Sequence, residues 1–235
     1  MIAAETLLVN ATRSGELAYR FGNNHFDAAS PNAYDLESAL YFLKKADAFG
    51  SRDLYLHHQI ARMYFLRGEH EKAMREISVQ ISVHGDSTPN SYYVRGLIEG
   101  YMGDYDASIA DYRRYLESDP GNWAANNDYA WVLLKAGRIA EAQAATENGL
   151  AYAPSNPWLL NSNAIARFET GDREGAWRIV QLATAAANQV TEAEWLTAYP
   201  GNDPRVAGEG IAALQKAITD NMHTIMGSRA TTTVQ

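Results

Sequence analysis

The stretch Tyr92–Asn122, YYVRGLIEGYMGDYDASIADYRRYLESDPGN, decides the fold of this 235-residue chain. It reads as two short helices around a tight Gly103-Asp104 turn, closed by Asp119-Pro120. Similar stretches lie before and after it. Gly103, Gly137 and Gly171 stand 34 residues apart, and so do Leu116 and Leu150, and Pro120 and Pro154. Gly68 precedes Gly103 by 35 residues, which marks one inserted residue. A fixed period of about 34 residues in a helical pattern is the signature of stacked helix hairpins. No hairpin of this kind buries its apolar face alone, so the next pair must stack on it to make a continuous core.

Composition narrows the function. At 46% hydrophobic and 20% charged residues, the chain suits a folded protein with a sizeable core. Its net charge of −8, with no cluster of lysine and arginine, argues against nucleic acid as a partner, since phosphate neutralisation supplies most of that affinity. With no cysteine, disulfides, thiolate metal sites and a cysteine nucleophile are excluded. No apolar run reaches the roughly 18 to 20 residues that span a bilayer, so no direct membrane insertion is expected. The start, MIAAETLLVNA, has no basic region followed by a long apolar core, so it does not read as a signal peptide. A cytoplasmic location is expected, with a periplasmic or membrane-tethered one as the alternative if an export signal or anchor lies upstream.

The flanks of the repeats are less regular. Residues 4–26 read as one long helix with Leu7, Leu8, Leu17, Phe21 and Phe26 buried. A loop follows at 27–34, then a helix to about Ala48 that Asp35 caps. Residues 1–53 are therefore expected to be an irregular first helix pair. After Gln189 the period stops. Thr191–Ala198 reads as a short helix and Tyr199-Pro200-Gly201-Asn202 as a turn. Asp203-Pro204 then starts a helix on which Ile211, Leu214, Ile218, Met222 and Ile225 form one apolar stripe. That stripe is expected to cap the last repeat, and docking onto a partner or a second copy is the alternative. The capping helices take 191–226, and 227–235 is expected to be a disordered tail.

Chemistry finds little support. His57 and His58 are adjacent and point about 100° apart on a helix, and no other histidine has a partner at ligand spacing. The acidic pairs Glu69/Glu71 and Asp104/Asp106 lie at turns and helix starts, where they favour the positive end of a helix dipole. Phosphate-binding and nucleophile-elbow motifs are missing from the sequence. No enzyme activity, metal or cofactor is expected.

The repeating residues resemble the tetratricopeptide repeat family. That family places small residues near the eighth and twentieth positions, glycine near the fifteenth and often proline near the thirty-second. Repeats at 54–88, 89–122, 123–156 and 157–190 supply Ala61, Gly68 and Ala73; Gly96, Gly103, Ser108 and Pro120; Ala130, Gly137, Ala142 and Pro154; and Ala164, Gly171 and Ala176. The first has Gly85 where proline is usual, and the fourth lacks that proline. The resemblance implies an all-α, right-handed superhelical solenoid of antiparallel helix pairs with a C-terminal capping helix.

It also implies where to look for a ligand. In this family the first helix of each repeat lines a concave groove. Carried over, the groove residues are Tyr55, His58 and Arg62, then Tyr93 and Leu97, then Asn127 and Trp131, then Asn161 and Ile165. Aromatic rings supply contact area with few rotors to freeze, and asparagine amides bond an extended backbone. The expectation is a non-enzymatic scaffold that holds a peptide or protein segment. The alternative is a structural subunit of a larger assembly that self-associates through its convex face or last helix. The cation and asparagine clamp that some family members use for a terminal carboxylate is incomplete here, since Arg62 is its one fixed cation.

Overall fold

The turn glycines set the architecture. Gly68, Gly103, Gly137 and Gly171 take φ values of +72°, +85°, +73° and +88°. These are left-handed conformations that glycine accepts without steric cost. In three of the turns the next residue's N–H reaches back to the same carbonyl of the preceding helix. Glu69 donates to Tyr64, Arg138 to Leu133 and Asp172 to Arg167, at 2.9, 2.8 and 2.9 Å. This is the Schellman closure of a helix C-terminus, and it reverses the chain for the next helix. Asn122 and Asn156 then cap the first helices of two successive repeats, each side chain accepting a main-chain N–H three residues on, at 3.0 Å.

The computed structural model describes residues 2–199 and 201–232. Among the described residues there are thirteen α-helices and no strand. They are α1 (Ile2–Thr12), α2 (Gly15–Asn24), α3 (Leu36–Ala48), α4 (Leu56–Leu66), α5 (His70–His84), α6 (Asn90–Met102) and α7 (Tyr105–Ser118). The chain continues with α8 (Trp123–Lys135), α9 (Ile139–Tyr152), α10 (Pro157–Glu169), α11 (Arg173–Ala187), α12 (Glu192–Ala198) and α13 (Ala207–Thr232). They divide between two compact units. The first is the chain up to Met102 together with Tyr199–Arg205; the second is Gly103–Ala198 and the chain from Val206 on.

In the first unit α2 packs on α3 and α4 on α5, and α5 also meets α6. Phe42, Leu43, Ile60, Met63, Ile77 and Ile98 fill the core, with Ala39, Ala46, Ala61 and Ala73 fully buried between the helices. In the second unit α8 packs on α9, α9 on α10, and α10 on α11. Ala130, Ala142, Ala164 and Ala176 are fully buried there. The last helix, α13, lies on α11. Its Ile218 and Ile225 are buried among Leu160, Ala164, Val180, Ala183 and Ala187, with Leu214 and Met222 beside them. The stripe read from the sequence thus covers the edge of the final helix pair.

The N-terminal end differs from the sequence reading. Residues 4–26 do not form one helix. Arg13 adopts a left-handed φ of 51°, its N–H closing α1 on the Val9 carbonyl, and Ser14 caps α2 through the Leu17 N–H. The break changes the helical phase, so Leu7 and Leu8 are 72% and 48% exposed and Val9 is buried instead. Leu17, Phe21 and Phe26 do join the core. At the other end α13 runs to Thr232. Residues 233–235 of the expected tail, and Pro200 of the expected turn, lie outside the described residues.

Two substitutions test this account of the helix pairs. Ala130→Leu adds bulk where two helices touch and is expected to cost about 1 to 3 kcal/mol. Gly137→Ala forces a side chain onto a left-handed residue with open space around it, and is expected to cost about 1 kcal/mol from the backbone alone. Urea unfolding midpoints of both variants check the order.

Candidate functional site

Eight of the nine expected groove residues lie on the first helices of the repeats, and Tyr55 lies just before one. In the first unit Tyr55 precedes α4 and is half-buried, its ring edge-on to His58 at 5.4 Å. One turn further along, His58 is buried rather than presented. Its main-chain N–H donates to the Gln80 Oε1 at 3.1 Å, its Nδ1 meets the Ser91 hydroxyl at 3.2 Å, and Gln80 in turn donates to the Leu54 carbonyl at 2.7 Å. Burial, with a smaller push from Arg62, drives the His58 pKa down to about 3. His58 is therefore a neutral side chain that ties α4 to α5 and α6.

Arg62 lies one further turn along α4. Its guanidinium sits 4.7 Å from the centre of the Phe26 ring, and its Nη1 donates to Gln59 at 3.0 Å. Burial lowers its pKa, while Tyr93 and Tyr34 oppose that shift. Tyr93 is half-buried against the core of this unit, and Leu97 is half-exposed on α6. Around Arg62 the structure brings together residues that the sequence reading did not assign to the site. Phe26 and Tyr34 pack at 6.3 Å, and the Tyr34 hydroxyl donates to the Gly201 carbonyl at 2.6 Å. Burial, followed by the charge of Asp203, pushes the Tyr34 pKa up to about 12.

In the second unit Asn127 and Trp131 lie on α8, and Asn161 and Ile165 on α10; all four are half-buried. The Ser162 hydroxyl donates to Asn127 Oδ1 at 2.9 Å and so joins the two first helices. The Lys135 ammonium lies 6.0 Å from the Trp131 ring. Asn161 goes elsewhere: its Oδ1 accepts from Asn221 of α13 at 2.9 Å. Asn127, Trp131 and Ile165 are thus each partly exposed on α8 or α10, while Asn161 is bonded to the capping helix. The sequence reading did not single out Ser162, whose bond to Asn127 has no signature in the period.

The acidic pairs have structural positions. Glu69 binds Arg67 at 2.6 Å and also Lys72, while Asp104 caps α7 through the Ala107 N–H at 3.3 Å. Among the described residues no three His, Cys, Asp or Glu side chains converge as a metal site would require. No helix among them is long and apolar enough to cross a membrane.

Comparison with known proteins places the architecture. Residues 101–149 match the family model described as tetratricopeptide repeat. Among solved structures, a crystal structure of MamA is 16% identical, with a TM-score of 0.62 over 79% of this chain and 95% of that one. A second MamA structure, from MSR-1, is 18% identical with a TM-score of 0.59 over 73% and 97%. YrrB, described as a TPR protein with an unusual peptide-binding site, is 14% identical with a TM-score of 0.61 over 89% and 100%. At these identities the likeness is one of fold. A search among curated proteins gives no match.

The buried His58 makes a pH prediction. The folded pKa lies below the ordinary value of 6.5, so below pH 6.5 the unfolded chain binds a proton that the native chain refuses. Stability is then fully present above pH 6.5 and falls as the pH drops towards 3. The loss is about 1.4 kcal/mol per pH unit where the unfolded histidine is protonated. Between pH 6 and 5, a range set above the ordinary carboxylate values of roughly 4, His58→Gln is expected to remove that slope. Urea midpoints of the two chains at both pH values check it.

Proposed function

We propose that this chain, which has the tetratricopeptide-repeat fold, is a non-catalytic scaffold that holds a peptide or protein segment against the first helices of its repeats. The observation that carries the reading is the Ser162–Asn127 bond at 2.9 Å. It joins α8 to α10, and Trp131 and Ile165, one turn further along, are partly exposed. A bound segment would gain aromatic contact area at low rotamer cost, and the Asn127 amide, beyond its bonds to Ser162 and Asp128, keeps one further donor and acceptor for the segment's main chain. YrrB, with the same fold, is described as having a peptide-binding site, which supports a ligand of this class. Assembly through α13 has less support, because Ile218 and Ile225 are spent inside their own unit.

The test is partner capture by the full chain carrying Trp131→Ser and Ile165→Glu, against Tyr152→Ser on the exposed part of α9 as control. A protein retained by the wild type is expected to bind the double variant at least about tenfold more weakly, as loss of buried aromatic contacts does at interfaces. The control is expected to bind as the wild type does. Equal capture by all three chains, with unchanged thermal midpoints, would refute the assignment.

A further inference from the structure

Tyr199 and residues 201–205 lie between α12 and α13 in the chain, yet they belong to the first unit. At their centre Gly201 is buried, with φ +94°. Its carbonyl accepts from the Tyr34 hydroxyl at 2.6 Å, across 167 positions of sequence. A Cβ at this residue would stand 2.2 Å from Phe26 Cζ and 2.8 Å from Arg62 Nη2. Only a residue without a side chain fits, and its positive φ favours glycine for a second reason. The remainder of the turn is internally satisfied. Arg205 binds Asp203 at 2.6 Å through its Nη2 and at 2.9 Å through its main-chain N–H, and Asn202 donates to the Tyr199 carbonyl at 3.3 Å. Asp203 and Arg205 border a cleft of about 800 Å³ shared with His25, Tyr34 and Asp35, which leaves room beside the turn.

Such a turn has the properties of a ligand. Bonds from Asn202 and Arg205 hold part of its shape, which lowers the entropy lost on docking. It presents one carbonyl to one hydroxyl donor and a bare Cα to a ring and a guanidinium. Tyr34 stays protonated through neutral pH, with its pKa pushed to about 12, and so remains a donor. Arg62, the cation expected on the binding face, is one wall of the seat.

We propose that Phe26, Tyr34 and Arg62 form a recognition pocket for a glycine-centred peptide turn, and that residues 201–205 are its resident internal ligand, gating access to this part of the face. The proposal rests on the reading of α4 as part of a binding face and adds a regulation to it. A partner entering here must present a glycine turn of the same chemistry and must displace the resident one.

The test uses a labelled synthetic peptide spanning residues 196–208, titrated against the full chain. Gly201→Val in the chain prevents its own turn from seating. That variant is expected to bind the peptide at least about tenfold more tightly than the wild type, whose pocket is filled. The same peptide carrying Gly201→Val is expected not to bind. Equal affinity for both chains, or equal binding of both peptides, would overturn the proposal. Should the Gly201→Val chain melt early, Tyr34→Phe removes one hydroxyl and leaves the packing. Hydrogen exchange at residues 201–206 is then expected to accelerate, and unchanged exchange there would overturn the proposal equally. Failure here, with capture still lost in the Trp131/Ile165 variant, removes the internal ligand and leaves the scaffold standing.

Discussion

Helices approach closely in this chain where the side chains between them are smallest, and the rest of the structure follows from that. Ala61, Ala73, Ser108, Ala130, Ala142, Ala164 and Ala176 have no exposed surface. Each stands where a larger residue would push two helices apart and lose dispersion contacts along both. Left-handed glycines reverse the chain at each pair, so the close contact and the reversal recur together. Because the pairs are packed through these small positions, the bulkier Trp131 and Ile165 keep part of their surface open.

Buried polar groups fix the register that the apolar contacts allow. Gln80 bridges the Leu54 carbonyl and the His58 N–H in the first unit. In the second, Asn163 donates to Thr146 at 2.8 Å and accepts from Arg167 at 2.9 Å, and Arg167 goes on to Glu147 and Asp172 at 2.7 and 2.8 Å. A slip of one residue would leave several of these groups buried without partners, at a cost of about 1 to 3 kcal/mol each. Each unit is thereby held in one register.

The helix pairs were legible because their signals are local and repeated. A glycine, a small residue and, in two repeats, a proline recur at one spacing. The stripe on α13 was legible for the same reason. What escaped has no such signal. Arg13 breaks the first helix in a left-handed conformation without the glycine that would announce it. The family resemblance put His58 among the expected groove residues, yet depth depends on Gln80 and Ser91, which lie on other helices. The seat of Gly201 against Tyr34 joins residues 167 apart, outside the period, and the sequence reads there only as a turn.

The central claim is that a partner lies along the first helices and not along the second ones. Hydrogen exchange of the full chain with a captured partner tests it most directly. Protection is expected to rise at the ends and open faces of α8 and α10, around Asn127, Trp131 and Ile165, with α9 and α11 unchanged. Protection confined to α9 and α11 would contradict the account.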